Sequence, residues 1–212
     1  MKTMKVPEAT ISRLTIYSRF LEQADAKGIL TVSSTDIAKN VGVTPAQVRK
    51  DLAYFGEFGT RGIGYTVKDL LKHIRKILGL TKIWNVALIG AGNLGRALAH
   101  YKGFAKRGFE IKAIFDVDPS KIGSKIGNIN VYSMDELNEK VKELDLRLGI
   151  IAVPAVAAQE AAWALVKAGI KGIINFAPRS IIVDENVILR RVDLAAELEV
   201  LTYNLQECKI DA

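Results

Sequence analysis

Apolar positions follow two rhythms along this chain: a spacing of three and four up to about residue 80, then short unbroken runs. The first rhythm marks amphipathic helices; runs of four to six apolar residues between helical stretches mark strands covered on both faces. Ile11, Leu14, Tyr17, Phe20 and Leu21 form a stripe that predicts a helix over residues 7–24, with Arg13 and Arg19 off the stripe and Gly28 beyond its end. Ser33 followed by Asp36 has the form of a capping box and opens a short helix that buries Ile37, Ala38 and Val41 before Gly42 stops it. Thr44, Pro45 and Gln47 then combine an N-cap, a proline at the first helical position and a reciprocal glutamine, starting a third helix. Val48, Leu52 and Phe55 line its inner face, leaving Gln47, Arg49, Lys50 and Tyr54 free to point outward. Residues 58–65 read as a short hairpin, with aromatic flanks and with Arg61 and Gly62 near the tip. Thr66 and Asp69 repeat the capping-box pattern ahead of a helix with Leu70, Leu71, Ile74 and Leu78 inside, ended by Gly79.

Beyond residue 84, apolar runs at 86–89, 111–116, 148–153 and 172–176 predict strands, and residues 94–104, 134–142 and 155–168 predict the helices between them, Ser133 capping the second. That alternation predicts a short doubly wound parallel sheet of Rossmann type. A last helix runs from its N-cap Asp193 to residue 206, with Leu194, Leu198, Leu201 and Leu205 at spacings of four, three and four. Ala195, Val200 and Tyr203 widen its apolar surface beyond one stripe, which suits burial on a partner subunit; docking on its own domain is the alternative. The expected domains are residues 1–80, 84–191 and 192–212.

Charge gives the first part a meaning. Of the net +7, all lies in residues 1–82, which hold 14 Lys and Arg against 7 Asp and Glu; the remainder holds 16 of each. A basic surface confined to one domain is the footprint of a polyanion, or else a merely solvated face. Two helices joined across a glycine turn suggest a helix-turn-helix whose second helix enters the major groove. Its outward residues suit the task, since arginine and lysine reach guanine or phosphate, glutamine reaches adenine and tyrosine reaches phosphate. The hairpin then has the place of a wing, its arginine directed at the adjacent minor groove. No apolar stretch is long enough to span a membrane, no signal peptide is recognisable, and the single cysteine, Cys208, has neither a disulfide partner nor metal-ligand spacing around it. The expected location is the cytoplasm, with no membrane contact and no metal.

The second part carries the candidate chemistry. Gly90, Ala91, Gly92, Asn93, Leu94 and Gly95 follow a predicted strand and open a predicted helix, the context a dinucleotide turn requires. In such a turn the first glycine permits the bend, the second lets the backbone approach a pyrophosphate, and the third lets helix and strand close on one another. Asp116 ends the next strand, where an acid binds the ribose hydroxyls, and no arginine directly follows it, which favours NAD over NADP. Ala152, Val153 and Pro154 end one strand, and Asn175, Phe176, Ala177 and Pro178 end another; both segments face the nicotinamide half of a dinucleotide or are loop punctuation. A dehydrogenase needs a positioned acid or base as well, and little is offered: His73 lies among surface lysines, His100 sits beside Tyr101 on the first helix, and no Tyr-x-x-x-Lys pair occurs. A cofactor site without chemistry makes the cofactor a signal. The competing readings are a small NAD(P)H-dependent oxidoreductase using His100 or Tyr101, and a dinucleotide-binding protein whose basic domain meets protein or RNA.

Taken together, Val6-Pro7-Glu8-Ala9, Ile11-Ser12-Arg13-Leu14, Gln47-Val48-Arg49-Lys50-Asp51-Leu52, Gly59-Thr60-Arg61-Gly62, the glycine turn, Phe115-Asp116-Val117-Asp118 and Asn175-Phe176-Ala177-Pro178 occur in an order that resembles the redox-sensing transcriptional repressor Rex family, bacterial regulators that read the NADH/NAD balance. The resemblance covers nearly the whole chain. It implies a homodimer with swapped C-terminal helices and two winged-helix domains on a two-fold symmetric operator in double-stranded DNA. It further implies release of DNA by NADH, NAD competing without releasing it. It adds Tyr101, Val117 and Lys121 to the NAD(H) site, and Arg13, Thr44, Pro45 and Gly62 to the DNA-binding set. It makes Arg19, Tyr101 and Asp193 a switch, in which a tyrosine contacts the nicotinamide region and an arginine trades partners with the aspartate of the swapped helix. Leu194 follows Asp193 where a relative has phenylalanine, which puts an aromatic contact to the nicotinamide there in question.

Overall fold

A computed structural model of the chain describes residues 6–60 and 62–207, so that Arg61 and Cys208 lie outside the described residues. The chain forms two compact units, residues 1–82 and 83–212.

The first unit contains α1 (Glu8–Ala26), β1 (Thr31–Val32), α2 (Ser34–Val41), α3 (Pro45–Ala53), β2 (Tyr65–Thr66) and α4 (Val67–Ile77). Leu14, Tyr17 and Leu21 of α1 form the centre of its core with Ile37, Val48, Leu52, Leu70 and Ile74, all nearly or wholly buried. Local chemistry fixes where the helices start. Ser33 Oγ accepts from Asp36 N–H at 3.1 Å while Asp36 Oδ2 accepts from Ser33 N–H at 2.8 Å, a complete capping box. Ser33→Ala should therefore lower the stability of this unit by about 1 kcal/mol, read as an earlier thermal unfolding transition with ligand affinity of the second unit unchanged. Gly42, left-handed at φ 74°, closes α2 with its N–H on Ala38 O at 3.0 Å.

Two start signals are used differently than expected. Thr44 Oγ1 accepts from Gln47 N–H at 3.1 Å, but the Gln47 side chain does not return to Thr44; it turns along α3 to Asp51. Thr66 caps nothing with its side chain. It pairs with Thr31 in the antiparallel β1–β2 ribbon, and the Val67 N–H finds Leu30 O at 2.9 Å, so strand pairing supplies the acceptor that a cap would have given. The hairpin is a tight turn closed by a bridge between Thr60 and Gly64, with Gly62 and Gly64 at positive φ. Its far flank, Tyr65, pairs with β1.

The second unit contains β3 (Trp84–Ile89), α5 (Asn93–Ala99), α6 (Lys102–Ala105), β4 (Phe109–Asp116), β5 (Lys125–Ile126), β6 (Ile129–Ser133), α7 (Leu137–Glu143), β7 (Leu148–Ile151), α8 (Ala158–Lys167), β8 (Gly172–Asn175), β9 (Ile188–Arg191) and α9 (Leu194–Glu207). The strands run in the order β5-β6-β4-β3-β7-β8-β9, every neighbouring pair parallel except β5 and β6. One face of the sheet buries Ala87, Ile89 and Phe115 with Leu137, Ala162 and Leu165; the other buries Val86, Leu88 and Ile114 with Leu98 and Phe104 packed on them. The chain leaves β3 to β4 on one side and returns to β7 on the other. The carboxyl end of β3 is thus the switch point, where doubly wound sheets bind ligands.

Several features of this unit differ from the sequence expectation or refine it. Residues 94–104 form two helices, because Tyr101 is extended at φ −75°, ψ 98° and stacks edge-on against Phe104 at 5.0 Å. Gly103 permits this, since a side chain there would strike the Tyr101 ring. The β5–β6 hairpin turns through Gly127 and Asn128, a two-residue Gly-Asn signal present in the sequence. Finally, α9 starts on Asp193 as expected, Oδ1 accepting from Ala195 and Ala196 N–H at 3.1 and 3.2 Å. Yet Leu194, Leu198, Leu201 and Leu205 are each more than half exposed, so its apolar surface is not covered within the chain. No helix among the described residues is long and apolar enough to cross a membrane.

Candidate functional site

The glycine turn lies at the switch point. Gly90 stands at φ 104°, its N–H on Phe115 O at 2.8 Å, and a Cβ there would strike the carbonyl of Ala152 at the end of β7. Gly95 is buried, and a Cβ there would strike the carbonyl of Gly90. Gly92 is unlike both: its backbone is extended at φ −78°, ψ −169°, and a Cβ would have nothing within 4 Å. Two glycines serve the fold. The third leaves space in front of the first N–H groups of α5, where a phosphate is favoured.

Asp116, at the end of β4, closes the other side. Its Oδ2 accepts from Ala91 N–H at 2.7 Å and its Oδ1 from Asp118 N–H at 2.9 Å; Lys121 Nζ stands 3.5 Å from Asp116 Oδ2 and 3.2 Å from Asp118 Oδ2. Burial alone would raise this carboxyl, but the two backbone N–H groups and Lys121 outweigh it and hold Asp116 below its ordinary value. The acid is ionised and fixed beside the glycine turn, which suits a dinucleotide's ribose hydroxyls. Val117 beside it is exposed. Ala152 and Val153 meet Gly90 directly, while Pro154 is exposed. Asn175 spends its buried amide on its own loop, Oδ1 accepting from Ala177 N–H and Nδ2 donating to the carbonyls of Ala177 and Arg179. It shapes the segment of Phe176, Ala177 and Pro178 from within.

Tyr101 is not brought to this turn. Tyr101 follows the far end of α5, whose seven residues run away from Gly92 over about 10 Å at 1.5 Å per residue. There, 59 % exposed, it borders a cavity of about 410 Å³ with Leu98, Phe104, Phe109 and Ile129. His100 lies at the same end, its Nδ1 on Arg96 O at 3.2 Å.

In the first unit, α2, the Gly42 turn and α3 form the helix-turn-helix. Arg49 reaches from α3 to Ser34 Oγ at 3.0 Å, Lys50 is exposed, and Tyr54 is half-buried at the helix end. Thr44 and Pro45 lie at the start of α3, and Gly62 is exposed at the hairpin turn. Arg19 is exposed on α1. Arg13 and Gln47 instead face Asp51, a buried acid on α3 that sequence reasoning passed over. An acid four residues after Gln47, in a helix otherwise basic, was the available signal. Burial pushes the Asp51 carboxyl up; Arg13, Tyr17, Gln47 and Thr10 together outweigh that and bring it to about 2. The same contact, with burial, raises the Tyr17 hydroxyl.

A winged helix-turn-helix unit followed by a Rossmann-type sheet with an open glycine turn defines a class of two-unit chain. Comparison with known proteins gives the class a family. Residues 5–53 match the family model described as "Putative DNA-binding protein N-terminus", and residues 81–179 the model described as "CoA binding domain". The redox-sensing transcriptional repressor Rex of Carboxydothermus hydrogenoformans is 61% identical over 206 residues, 97% of this chain and 99% of that one. The protein of the same name from Desulforamulus reducens is 58% identical over 97% of this chain and 98% of its own. The crystal structure of RSP in complex with beta-NAD+ and operator DNA superposes with a TM-score of 0.91 at 41% identity, covering 96% of this chain and 94% of that one. The RSP complex with beta-NADH gives 0.86 at 40% identity, covering 95% of both. The chain belongs to the Rex family of redox-sensing transcriptional repressors.

Proposed function

We propose that this chain is a DNA-binding repressor that senses the NADH/NAD balance: NADH binding to the second unit rearranges a homodimer and releases double-stranded operator DNA. The observation that carries the reading is the presence, in one chain, of a basic helix-turn-helix and of a glycine turn whose middle glycine opens beside a fixed, ionised Asp116. RSP, which shares the fold, binds both nucleotides and operator DNA.

In this reading, Gly90, Ala91, Gly92, Asn93, Leu94 and Gly95 cradle the pyrophosphate of NAD(H). Asp116 takes the ribose hydroxyls, with Val117 and Lys121 beside it. Ala152, Val153 and Pro154 line the nicotinamide side with Asn175, Phe176, Ala177 and Pro178. When bound, the nicotinamide supplies its redox state; Asp116 at the turn is engaged with the Ala91 and Asp118 N–H groups, and His100 lies at the far end of α5. Tyr101 contacts the nicotinamide region. The functional division is residues 1–80 for DNA, 84–191 for nucleotide and 192–212 for dimerisation. The exposed leucines of α9 are covered by exchange between subunits. Arg19 and Asp193 then form the charge pair that distinguishes two dimer arrangements, the kind of element a ligand can bias. On DNA, α3 enters the major groove with Thr44, Pro45, Arg49, Lys50 and Tyr54, and Arg61 and Gly62 follow the minor groove; the protein works in the cytoplasm.

A gel shift tests this. Full-length protein should retain a two-fold symmetric duplex at saturating NAD and release it at saturating NADH; equal retention with both nucleotides would refute sensing.

A further inference from the structure

The carboxylate of Asp51 is wholly buried and collects donors from two helices. Its Oδ1 accepts from Arg13 Nη2 at 2.7 Å, Gln47 Nε2 at 2.9 Å and Thr10 Oγ1 at 3.1 Å. Its Oδ2 accepts from Arg13 Nε at 2.6 Å and Tyr17 Oη at 2.8 Å. Thr10, Arg13 and Tyr17 stand three and four residues apart on α1 and so share one face; Gln47 and Asp51 stand four apart on α3. A carboxylate offers about four lone-pair sites, so five donor bonds leave it saturated, and the two-pronged guanidinium fixes its plane as a single ammonium would not.

Resting on the DNA-binding reading above, we infer that Arg13, Gln47 and Asp51 are positioning residues: they clamp α3 to α1 and set its angle in the groove, and neither Arg13 nor Gln47 reads a base. The side chain of Gln47, which by type and place suits adenine, is held back along its own helix by Asp51. Base reading then falls to the side chains of α3 that Asp51 does not hold, Arg49 and Lys50 first. The clamp also joins α3 to the helix that carries Arg19, so a displacement of α1 carries the reading face with it.

The test uses full-length protein and an operator duplex selected from random-sequence DNA, together with its single-base-pair variants. Gln47→Ala should weaken binding by less than about fivefold and by the same factor for every variant; loss of discrimination at one base pair would mark Gln47 as a reader and overturn the inference. Arg13→Lys keeps the charge but not the fork. It should weaken the selected operator tenfold or more while the slope of log affinity against log salt stays as in the wild type, because no phosphate contact is lost. A slope shallower by about one per lost contact would make Arg13 a phosphate ligand and overturn its positioning role. A wild-type protein that selects no sequence overturns the DNA-binding reading itself, which these two variants cannot imitate.

Discussion

Replacing Arg49 and Lys50 together by alanine is expected to remove operator binding while NADH affinity stays within about twofold of the wild type. Both residues are exposed on α3, and the Ser34 Oγ that accepts from Arg49 belongs to a half-buried residue outside the core. Neither is part of the core of the first unit, so the fold should not register their loss. A good side-chain contact to a base contributes about 1–3 kcal/mol of discrimination. In a two-fold complex each contact is made twice, so even a single substitution should cost at least about 2 kcal/mol, roughly thirtyfold in affinity. Fluorescence anisotropy on labelled operator measures the first quantity, and the quenching or enhancement of NADH fluorescence the second. Loss of both together would point to a damaged fold instead.

The complementary variant is Gly92→Val, expected to weaken NADH by at least about a hundredfold with no change in thermal stability, leaving a protein that holds its operator whether or not NADH is present. The expectation rests on a contrast within one turn. At Gly90 and Gly95 a side chain would strike the backbone of the unit itself, so substitutions there confound ligand loss with misfolding. At Gly92 the backbone is extended and a side chain would project into open space, so the only thing it displaces is what approaches the turn from outside. Calorimetry with NADH and a thermal melt of the same sample decide the matter. Unchanged NADH affinity would place the nucleotide elsewhere.

What sequence could reveal here was whatever is settled within a few residues. The Ser33 and Asp36 capping box, the Thr44 cap with Pro45, the Asp193 cap and the close approach of Gly95 to Gly90 are all local, and the structure uses them as expected. Tertiary contacts overrode the local signal where they offered a better partner. Thr66 found a strand, Gln47 found Asp51, and the Tyr101 ring settled over Gly103 and broke a helix whose apolar periodicity runs on. The Asp51 cluster was the least legible part of the first unit, because its partners on α1 lie 34 to 41 residues away and only packing brings them together. The stripe on α9 was legible as apolar, but a stripe does not say what covers it.

The coupling between the two units can be measured from the nucleotide side. If NADH weakens operator binding by some factor, operator must weaken NADH binding by the same factor, since both describe one free energy. Titrating NADH into free protein and into operator-saturated protein should show affinity lower in the complex by roughly five- to 150-fold, the usual span of such couplings, with NAD little affected. NADH binding equally tightly with and without operator would contradict the account.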